Sequence, residues 1–230
     1  MSLTVPRSET LDPDRRSRRD PGTLAAVTQH LDRLAPVLAH VQGQAARIAG
    51  WSEAMARCLV GGGRLLAAGN GGSAAEAQHL TAELVGRYDG DRRPFSAICL
   101  HGDSSSVTAI ANDYGYDEVF ARQVQAHARA GDIVVLMSGS GRSRNLLRAA
   151  EAARGAGATS WAMTGPGPNP LVEICDDALA LPGLCGSVQE GHLLALHALC
   201  SGFEHHVRLL DGLAEAGSAA HGAAATEDAA

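Results

Sequence analysis

Residues 64–88, RLLAAGNGGSAAEAQHLTAELVGRY, decide the fold of this chain. The apolar run at 64–68 predicts a β-strand, a Gly-rich turn occupies 69–73, and the Ala-rich stretch after it has helical spacing. Glycines permit positive φ angles and a close approach of the main chain to a ligand, and the free amides at a helix N-terminus favour an anion. The segment therefore predicts a phosphate cradle, with a tight connection that binds nothing as the alternative.

Two polar residues of this predicted helix carry acid/base chemistry. His79 and Glu83 are four residues apart, so they lie on the same helix face. A carboxylate and an imidazole beside a phosphate cradle suit proton transfer. The alternative is a solvated i,i+4 pair without function. Other segments of the sequence are needed to distinguish it from an acid/base pair.

The remaining elements extend this pattern. Further strands are predicted at residues 96–100, 133–137, 159–163 and 178–181. Helices are predicted at 104–112, 117–128, 143–154 and 187–210, with Asp103 and Asp117 as the N-caps of the first two. The run 133–137, IVVLM, is apolar throughout, as in a strand buried on both faces of a parallel sheet. Strands that alternate with helices on short connections predict an α/β fold with a doubly wound parallel sheet.

The segments outside the strands define the domain organisation. Residues 24–59 have apolar residues at helical spacing, which predicts two helices or one helix broken near Gly43. Their apolar face precedes any strand, and pairing between subunits is an economical way to bury it. Polar residues 1–20 predict a disordered arm and Ala/Gly-rich residues 212–230 a disordered tail. One domain is therefore expected at residues 21–211.

Composition excludes several classes of function. With 230 residues the chain is long enough for one α/β domain. A net charge of -6 and a pI near 5.9 argue against nucleic acid as the main partner. No stretch approaches the ~18 apolar residues of a membrane span. The five cysteines form no CxxC pair and are predicted to be buried thiols in a reducing compartment, so a cytoplasmic protein is expected.

A second polar loop, SGSGRS at residues 138–143, directly follows the apolar run 133–137. Ligands of open parallel sheets bind at the carboxyl ends of the strands. The hydroxyls of Ser138, Ser140 and Ser143, with glycine amides and a helix N-terminus, suit a phosphate monoester. A helix cap without a ligand is the alternative. Neither this loop nor GNGGSA matches GK[ST] or GxGxxG, so a nucleotide is disfavoured.

Taken in order, these segments resemble the sugar isomerase (SIS) domain family and, within it, the phosphoheptose isomerases. The resemblance covers residues 23–210 and is carried by GNGGSAAEAQHLTAELVGRY, by the segment from Asp103 through AIANDYGY, by SGSGRS and by VQEGHLLALH. It implies a five-stranded parallel sheet between helices and a homotetramer with active sites between subunits. It also implies conversion of sedoheptulose 7-phosphate to D-glycero-D-manno-heptose 7-phosphate through an enediol, the first step of activated-heptose biosynthesis.

The resemblance also implies roles for individual residues. It makes Glu83 and His197 the acid/base pair. It suggests one zinc ion per active site, with His79, Glu83, Gln189 and His197 as the ligands. The implied substrate-binding residues are Asn70, Gly71, Gly72, Ser73, Arg87, Asp103, Ser138, Ser140, Ser143 and Gln189. Periodicity alone does not select Gln189, because it lies about 80° from His197 around the helix axis and Glu190 is nearer to alignment.

Three positions depart from the family's pattern and bear on affinity and substrate choice. Gly139 stands where a threonine is frequent, Arg142 where an asparagine is frequent, and Gly186 where some relatives carry an aspartate. Arg142 places a cation near the expected phosphate.

Two alternative functions remain at this stage. One is a sugar-phosphate sensor or partner-binding protein without catalysis, against which the presence of both Glu83 and His197 argues. The other is an isomerase of a different sugar phosphate. Among the other histidines, His192 is expected to point away from His197, about 140° around the helix. Four others, His101, His127, His205 and His206, are expected at the surface or at caps, with a role beside the cleft as the alternative for His101.

Overall fold

A computed structural model describes the backbone of residues 20–227 and the side chains of residues 20–213. Its five strands are β1 (Leu65–Gly69), β2 (Ala97–Cys99), β3 (Ile133–Ser138), β4 (Thr159–Thr164) and β5 (Asp177–Ala180). All pair in parallel in the order β2-β1-β3-β4-β5. The predicted α/β fold with a five-stranded parallel sheet is confirmed. The predicted disordered arm lies outside the described residues except for Asp20.

The helices surround this sheet. They are α1 (Pro21–Asp32), α2 (Leu34–Gly43), α3 (Ala45–Val60), α4 (Gly72–Val85), α5 (Ser104–Tyr114), α6 (Ala121–His127), α7 (Arg144–Ala156), α8 (Pro170–Ile174) and α9 (Cys185–Glu227). Successive strand residues point to opposite faces, which gives the molecule two hydrophobic cores. Leu65 and Val135 pack with α3, α4 and α9 on one face. Leu66 and Val134 pack with α6, α7 and α8 on the other.

The N-terminal segment forms three helices where two were predicted. The break near Gly43 is confirmed, and a second break falls at Arg33 between α1 and α2. Trp51 of α3 stacks on Trp161 of β4, with ring centroids 4.7 Å apart, and thereby attaches α3 to the sheet. Every residue of α1 is exposed in the single chain.

Two further elements differ from the sequence prediction. Asp117 is not the N-cap of α6: it lies in a 3₁₀ turn, where its carboxylate is 3.0 Å from the Arg144 guanidinium. The unpredicted helix α8 forms because Asn169 caps it, accepting from the Val172 N–H, and because Pro170 fits its first turn.

The C-terminal helix is longer than expected. It was predicted to end near Leu210, before a disordered tail at 212–230, whereas α9 continues to Glu227. Alanine has the highest helix propensity, and the sequence beyond Leu210 contains many alanines and no proline, so the helix continues in spite of its glycines. Residues 228–230 lie outside the described part of the chain.

All five cysteines lie in the described part of the chain and are free thiols, but the expectation that they are buried is correct only for Cys200. Burial, with the nearby charge of Glu83 adding to it, raises the pKa of the Cys200 thiol to about 12. Cys185 is exposed, and Cys58, Cys99 and Cys175 are partly buried.

None of the helices described here combines the length and the apolar character that crossing a bilayer requires.

Candidate active site

The two polar loops predicted from the sequence meet at the carboxyl ends of the parallel strands. β1 and β3 are neighbours, and Gly69 at the end of β1 lies opposite Met137 near the end of β3. The chain proceeds from β1 to one side of the sheet and from β3 to the other, so a crevice opens between these strand ends. The loops 69–73 and 138–143 therefore border the same crevice.

A pair of asparagine side chains connects the two loops. Asn70 Nδ2 donates to Asn145 Oδ1 at 3.0 Å, and Asn145 Nδ2 donates to Asn70 Oδ1 at 2.9 Å. The Tyr116 hydroxyl donates to the same Asn70 oxygen at 3.2 Å. Asn70 retains one amide proton without a partner among these contacts. Neither Asn145 nor Tyr116 was singled out from the sequence, although Asn145 follows the Ser-rich loop by two residues.

The first loop has the geometry of an anion site. Gly71 adopts φ +57° and ψ −122°, a conformation that favours glycine, and no side chain caps the N-terminus of α4. Ser73 is buried in the first turn of that helix. The helix N-terminus at residues 71–73 therefore keeps amide donors that a side-chain cap would otherwise occupy.

The second loop gathers three hydroxyl groups. Ser138 Oγ lies 3.4 Å from both Ser140 Oγ and Ser143 Oγ. Ser143 is the N-cap residue of α7, yet its side chain makes no capping hydrogen bond. Ser138 Oγ accepts from the Gly141 N–H and Ser140 Oγ from the Arg142 N–H, but a hydroxyl that accepts can still donate its own hydrogen to an anion. Arg142 is exposed beside them.

Two histidines and a glutamate form the centre of the candidate site. His79 Nε2 lies 3.0 Å from Glu83 Oε1 and 3.0 Å from His197 Nε2. Ligand atoms of all three residues lie within 4.8 Å of one another, as in a metal-binding group. The His79 side chain is 42% exposed and that of Glu83 19%. Helices α4 and α9, which pack against each other, bring these residues together.

Tyr88 completes this cluster, although the sequence analysis gave it no role. Its ring centroid lies 5.5 Å from that of His197. Burial raises the pKa of the Tyr88 hydroxyl, and the nearby carboxylates of Asp89, Glu83 and Glu204 add to the effect. Its position directly after the helix of His79 and Glu83 was the signal available in the sequence.

Gln189 and Glu190 face different neighbours. The space beside the Gly72 Cα is occupied by the Gln189 amide, so a methyl group at Gly72 would lie 2.5 Å from its Nε2. Glu190 Oε1 instead lies 2.8 Å from His30 Nε2 of α1. The structure thus brings Gln189 to the first loop, although helical periodicity favoured Glu190.

The structure does not draw Arg87 and Asp103 into the cluster, because both bond within their own loops. Arg87 Nη1 donates to the Asp89 carbonyl oxygen. Asp103 is the N-cap of α5, as predicted, and accepts from the N–H groups of Ser105 and Ser106. The hydroxyls and N–H groups of these serines lower the Asp103 pKa to about 2.

The other histidines fall into distinct environments. His192 is fully buried and contacts Thr164 O rather than the cluster, which confirms that it points away from His197. His101 is half-buried beside the Cys99 thiol, not at the surface, and burial lowers its pKa. His127 and His205 are exposed, and His206 is partly buried.

Comparison with known proteins identifies the class. The SIS domain family matches residues 29–165, more than half of the chain. The chain therefore belongs to the SIS domain family. A phosphoheptose isomerase from Streptomyces coelicolor is 56% identical over 196 residues, which cover 84% of this chain and 85% of that protein.

Two solved structures share the fold and part of the sequence. A phosphoheptose isomerase from Francisella tularensis superposes with a TM-score of 0.76 at 31% identity, covering 80% of this chain and 98% of that one. A phosphoheptose isomerase from Neisseria gonorrhoeae gives a TM-score of 0.74 at 34% identity, covering 80% of this chain and 99% of that one.

Proposed function

We propose that this protein is a phosphoheptose isomerase, which converts sedoheptulose 7-phosphate to D-glycero-D-manno-heptose 7-phosphate in the first step of activated-heptose biosynthesis. The observation that carries the proposal is the cluster of His79, Glu83 and His197 beside two anion-binding loops at one crevice. The identity to enzymes of this name supports the same assignment.

The loops provide the binding energy for the sugar phosphate. The hydroxyls of Ser138, Ser140 and Ser143 and the amides at the start of α4 hold the phosphate. Residues at the sugar and along the loops complete the substrate site: Asn70, Gly71, Gly72, Ser73, Arg87, Asp103 and Gln189. Arg87 and Asp103 are exposed and bond within their own loops in the single chain, so their contact with the substrate rests on the family resemblance alone.

Glu83 and His197 move the protons when their side chains are not ligands of a metal ion. Isomerisation transfers hydrogen between C1 and C2 through an enediol, so it needs a base for carbon and an acid for oxygen. Glu83 takes a proton from C1 of the ketose while His197 donates a proton to O2. His197 then accepts the O1 proton, and Glu83 returns its proton to C2. The aldose forms, and both residues regain their starting states.

The same cluster fits a zinc ion. Tetrahedral zinc with ligands at about 2.0–2.1 Å places neighbouring ligand atoms about 3.3 Å apart, close to the 3.0 Å separations at His79. His79, Glu83 and His197 would hold the ion, with Gln189 as the fourth ligand. Zinc bound there would polarise the substrate carbonyl and stabilise the charge that develops on oxygen.

We further propose a cytoplasmic homotetramer with active sites between subunits. The exposed helix α1 and an apolar groove of about 410 Å³ support an interface of this kind. The groove lies between α2, α3 and α9, and Leu38, Val41, Ile48 and Leu194 line it. Five free cysteines agree with a reducing compartment.

Isomerisation in deuterated water, followed by NMR, tests the reaction. Purified protein is incubated with sedoheptulose 7-phosphate, with zinc or a chelator in parallel. Product is expected with wild-type protein, with any solvent deuterium entering at C2. Glu83→Gln should lower turnover by about 10³-fold or more.

A matched control separates loss of catalysis from loss of fold. Glu53 also belongs to an i,i+4 pair, 3.5 Å from Arg57, but is half-exposed on α3 away from the crevice. Glu53→Gln should keep turnover within about twofold of wild type. A fully active Glu83→Gln enzyme, or ketose phosphate binding without turnover in every arm, would contradict the proposed function.

A further inference from the structure

A buried pair of polar groups lies next to the candidate site without belonging to it. Three buried side-chain polar atoms of residues 20–213 form no hydrogen bond, and all three lie on α4 or α9: Glu76 Oε2, Glu190 Oε2 and His192 Nδ1. Two of them face each other, since His192 Nδ1 is 3.6 Å from Glu76 Oε2. Buried polar atoms without partners are rare and call for an explanation.

The hydrogen bond made by His192 Nε2 determines what its Nδ1 presents to Glu76. Its Nε2 lies 3.0 Å from the Thr164 carbonyl oxygen, which can only accept, so Nε2 carries a hydrogen. A neutral ring would then turn a bare Nδ1 lone pair toward the Glu76 oxygen. His192 is 0% and the Glu76 side chain 11% exposed, so water screens this repulsion little. A proton between them turns the repulsion into attraction.

The pair connects α4 and α9, which carry the candidate site, to the end of β4. Glu76 lies on α4, one turn after Gly72 and one turn before His79. His192 lies on α9 between Gln189 and His197. Thr164 ends β4, and a methyl group at the next residue, Gly165, would overlap the carbonyl oxygen of Gly139 in the Ser-rich loop.

We propose that His192 and Glu76 hold a proton between them and that this pair positions α9 against α4. It sets His197 and Gln189 against His79 and Glu83 without touching the substrate, so both members are positioning residues. The inference rests on the proposed isomerase function for its kinetic consequence. Misplacement of reacting groups by about 1 Å costs on the order of 10²-fold in rate, which gives the scale of the expected effect.

Two substitutions of Glu76 separate positioning from general stability. Glu76→Leu removes the partner of His192 Nδ1 and should lower kcat by about tenfold or more, with KM close to wild type. Glu76→Gln supplies an amide proton to the same nitrogen and should restore most of kcat. A Glu76→Gln enzyme as impaired as Glu76→Leu would overturn the proposal.

Ser52→Ala is the matched control. The Ser52 hydroxyl is buried and lies 3.0 Å from the Leu199 carbonyl oxygen, so it connects α9 to α3 instead of α4. The variant should melt at a lower temperature with unchanged kcat. An equal loss of kcat in Ser52→Ala would show that any loosening of α9 has this effect, and would overturn the specific role of Glu76.

NMR of ¹⁵N-labelled histidine tests the pair without reference to turnover. The His192 signals, assigned by their loss in His192→Gln, should show an Nδ1 that is protonated or hydrogen-bonded and that changes in Glu76→Leu. A bare Nδ1 in wild type, unchanged in Glu76→Leu, would overturn the pair. If wild type shows the pair but isomerises no sugar phosphate, the proposed function fails and the pairing stands.

Discussion

Two carboxylates at the contact between α4 and α9 have opposite surroundings: Glu83 lies near the end of α4, and Glu204 lies on α9 beside the loop that follows α4. Glu204, two turns beyond His197, accepts at Oε1 from the N–H groups of Tyr88 and Asp89, and at Oε2 from that of Gly90. The Arg92 guanidinium also donates to Oε1, and both side chains are nearly buried. Burial alone would raise the pKa of Glu204, but these N–H donors and the Arg92 charge lower it.

Glu83 has a different set of contacts. Its Oε1 lies 3.0 Å from His79, and its side chain is more exposed than that of Glu204. A carboxylate with every oxygen occupied by fixed donors stabilises a loop, whereas one with spare acceptor capacity remains available to a proton, a metal or a substrate. The number of free acceptor positions, rather than residue type, therefore separates the structural Glu204 from Glu83, for which we propose the catalytic role.

The largest effect that distinguishes these regions is expected at His197. His197→Asn should lower turnover by about 10³-fold, equivalent to about 4 kcal/mol in activation free energy, because the acid for the sugar oxygens is lost. Its melting temperature should stay near that of wild type. Steady-state kinetics and a thermal melt provide the check, and an active His197→Asn enzyme would assign the chemistry elsewhere.

Glu204→Gln should show the reverse pattern. Removing one member of a buried ion pair leaves Arg92 uncompensated and should cost about 3 kcal/mol of unfolding free energy. Turnover at a temperature where the variant is folded should remain close to wild type. Urea unfolding measures the first quantity and kinetics the second. A stable variant that has lost turnover would remove the distinction between the two carboxylates.

Zinc should raise the melting temperature of the protein only if it binds at the cluster that contains Glu83. At a free concentration near 100 times its Kd, a ligand of the native state adds about 2.7 kcal/mol to stability. The melting temperature of wild type should rise with zinc, and that of His79→Asn should not. His127→Asn, a change of an exposed histidine on α6, serves as the control and should respond like wild type. An equal zinc response in all three proteins would place the metal outside this cluster.

The smallest effect concerns the cap of α5. The Asp103 pKa is about 2 in the folded protein against 3.8 normally, so its contribution to stability is present above about pH 4 and is lost as the pH falls toward 2. Asp103→Asn also caps a helix but does not titrate. Wild type should therefore lose stability relative to Asp103→Asn in urea unfolding between pH 4 and 2. A constant difference across this range would contradict the capping role.

Much of the fold follows from short-range patterns in the sequence. The apolar runs predicted the positions of all five strands. The signal is strongest for the central strands β1 and β3, because a strand buried on both faces must be apolar at nearly every position. The additional break at Arg33 and the short helix α8 were missed, since neither carries a glycine or a long apolar repeat. The extent of α9 was missed because the Ala/Gly-rich composition of residues 212–230 was interpreted as disorder, whereas alanine also permits a helix.

The candidate site also has a part that the sequence predicts and a part that only tertiary packing determines. Helical periodicity by itself placed His79 and Glu83 on one helix face. The Gly-rich and Ser-rich loops predicted an anion-binding site at the carboxyl ends of the strands. The choice of His197 rather than His192 as their partner depends on the packing of α9 against α4. His79 and His197 are 118 positions apart in the chain. Local backbone geometry determines which residues share a helix face, but only tertiary packing determines which faces meet.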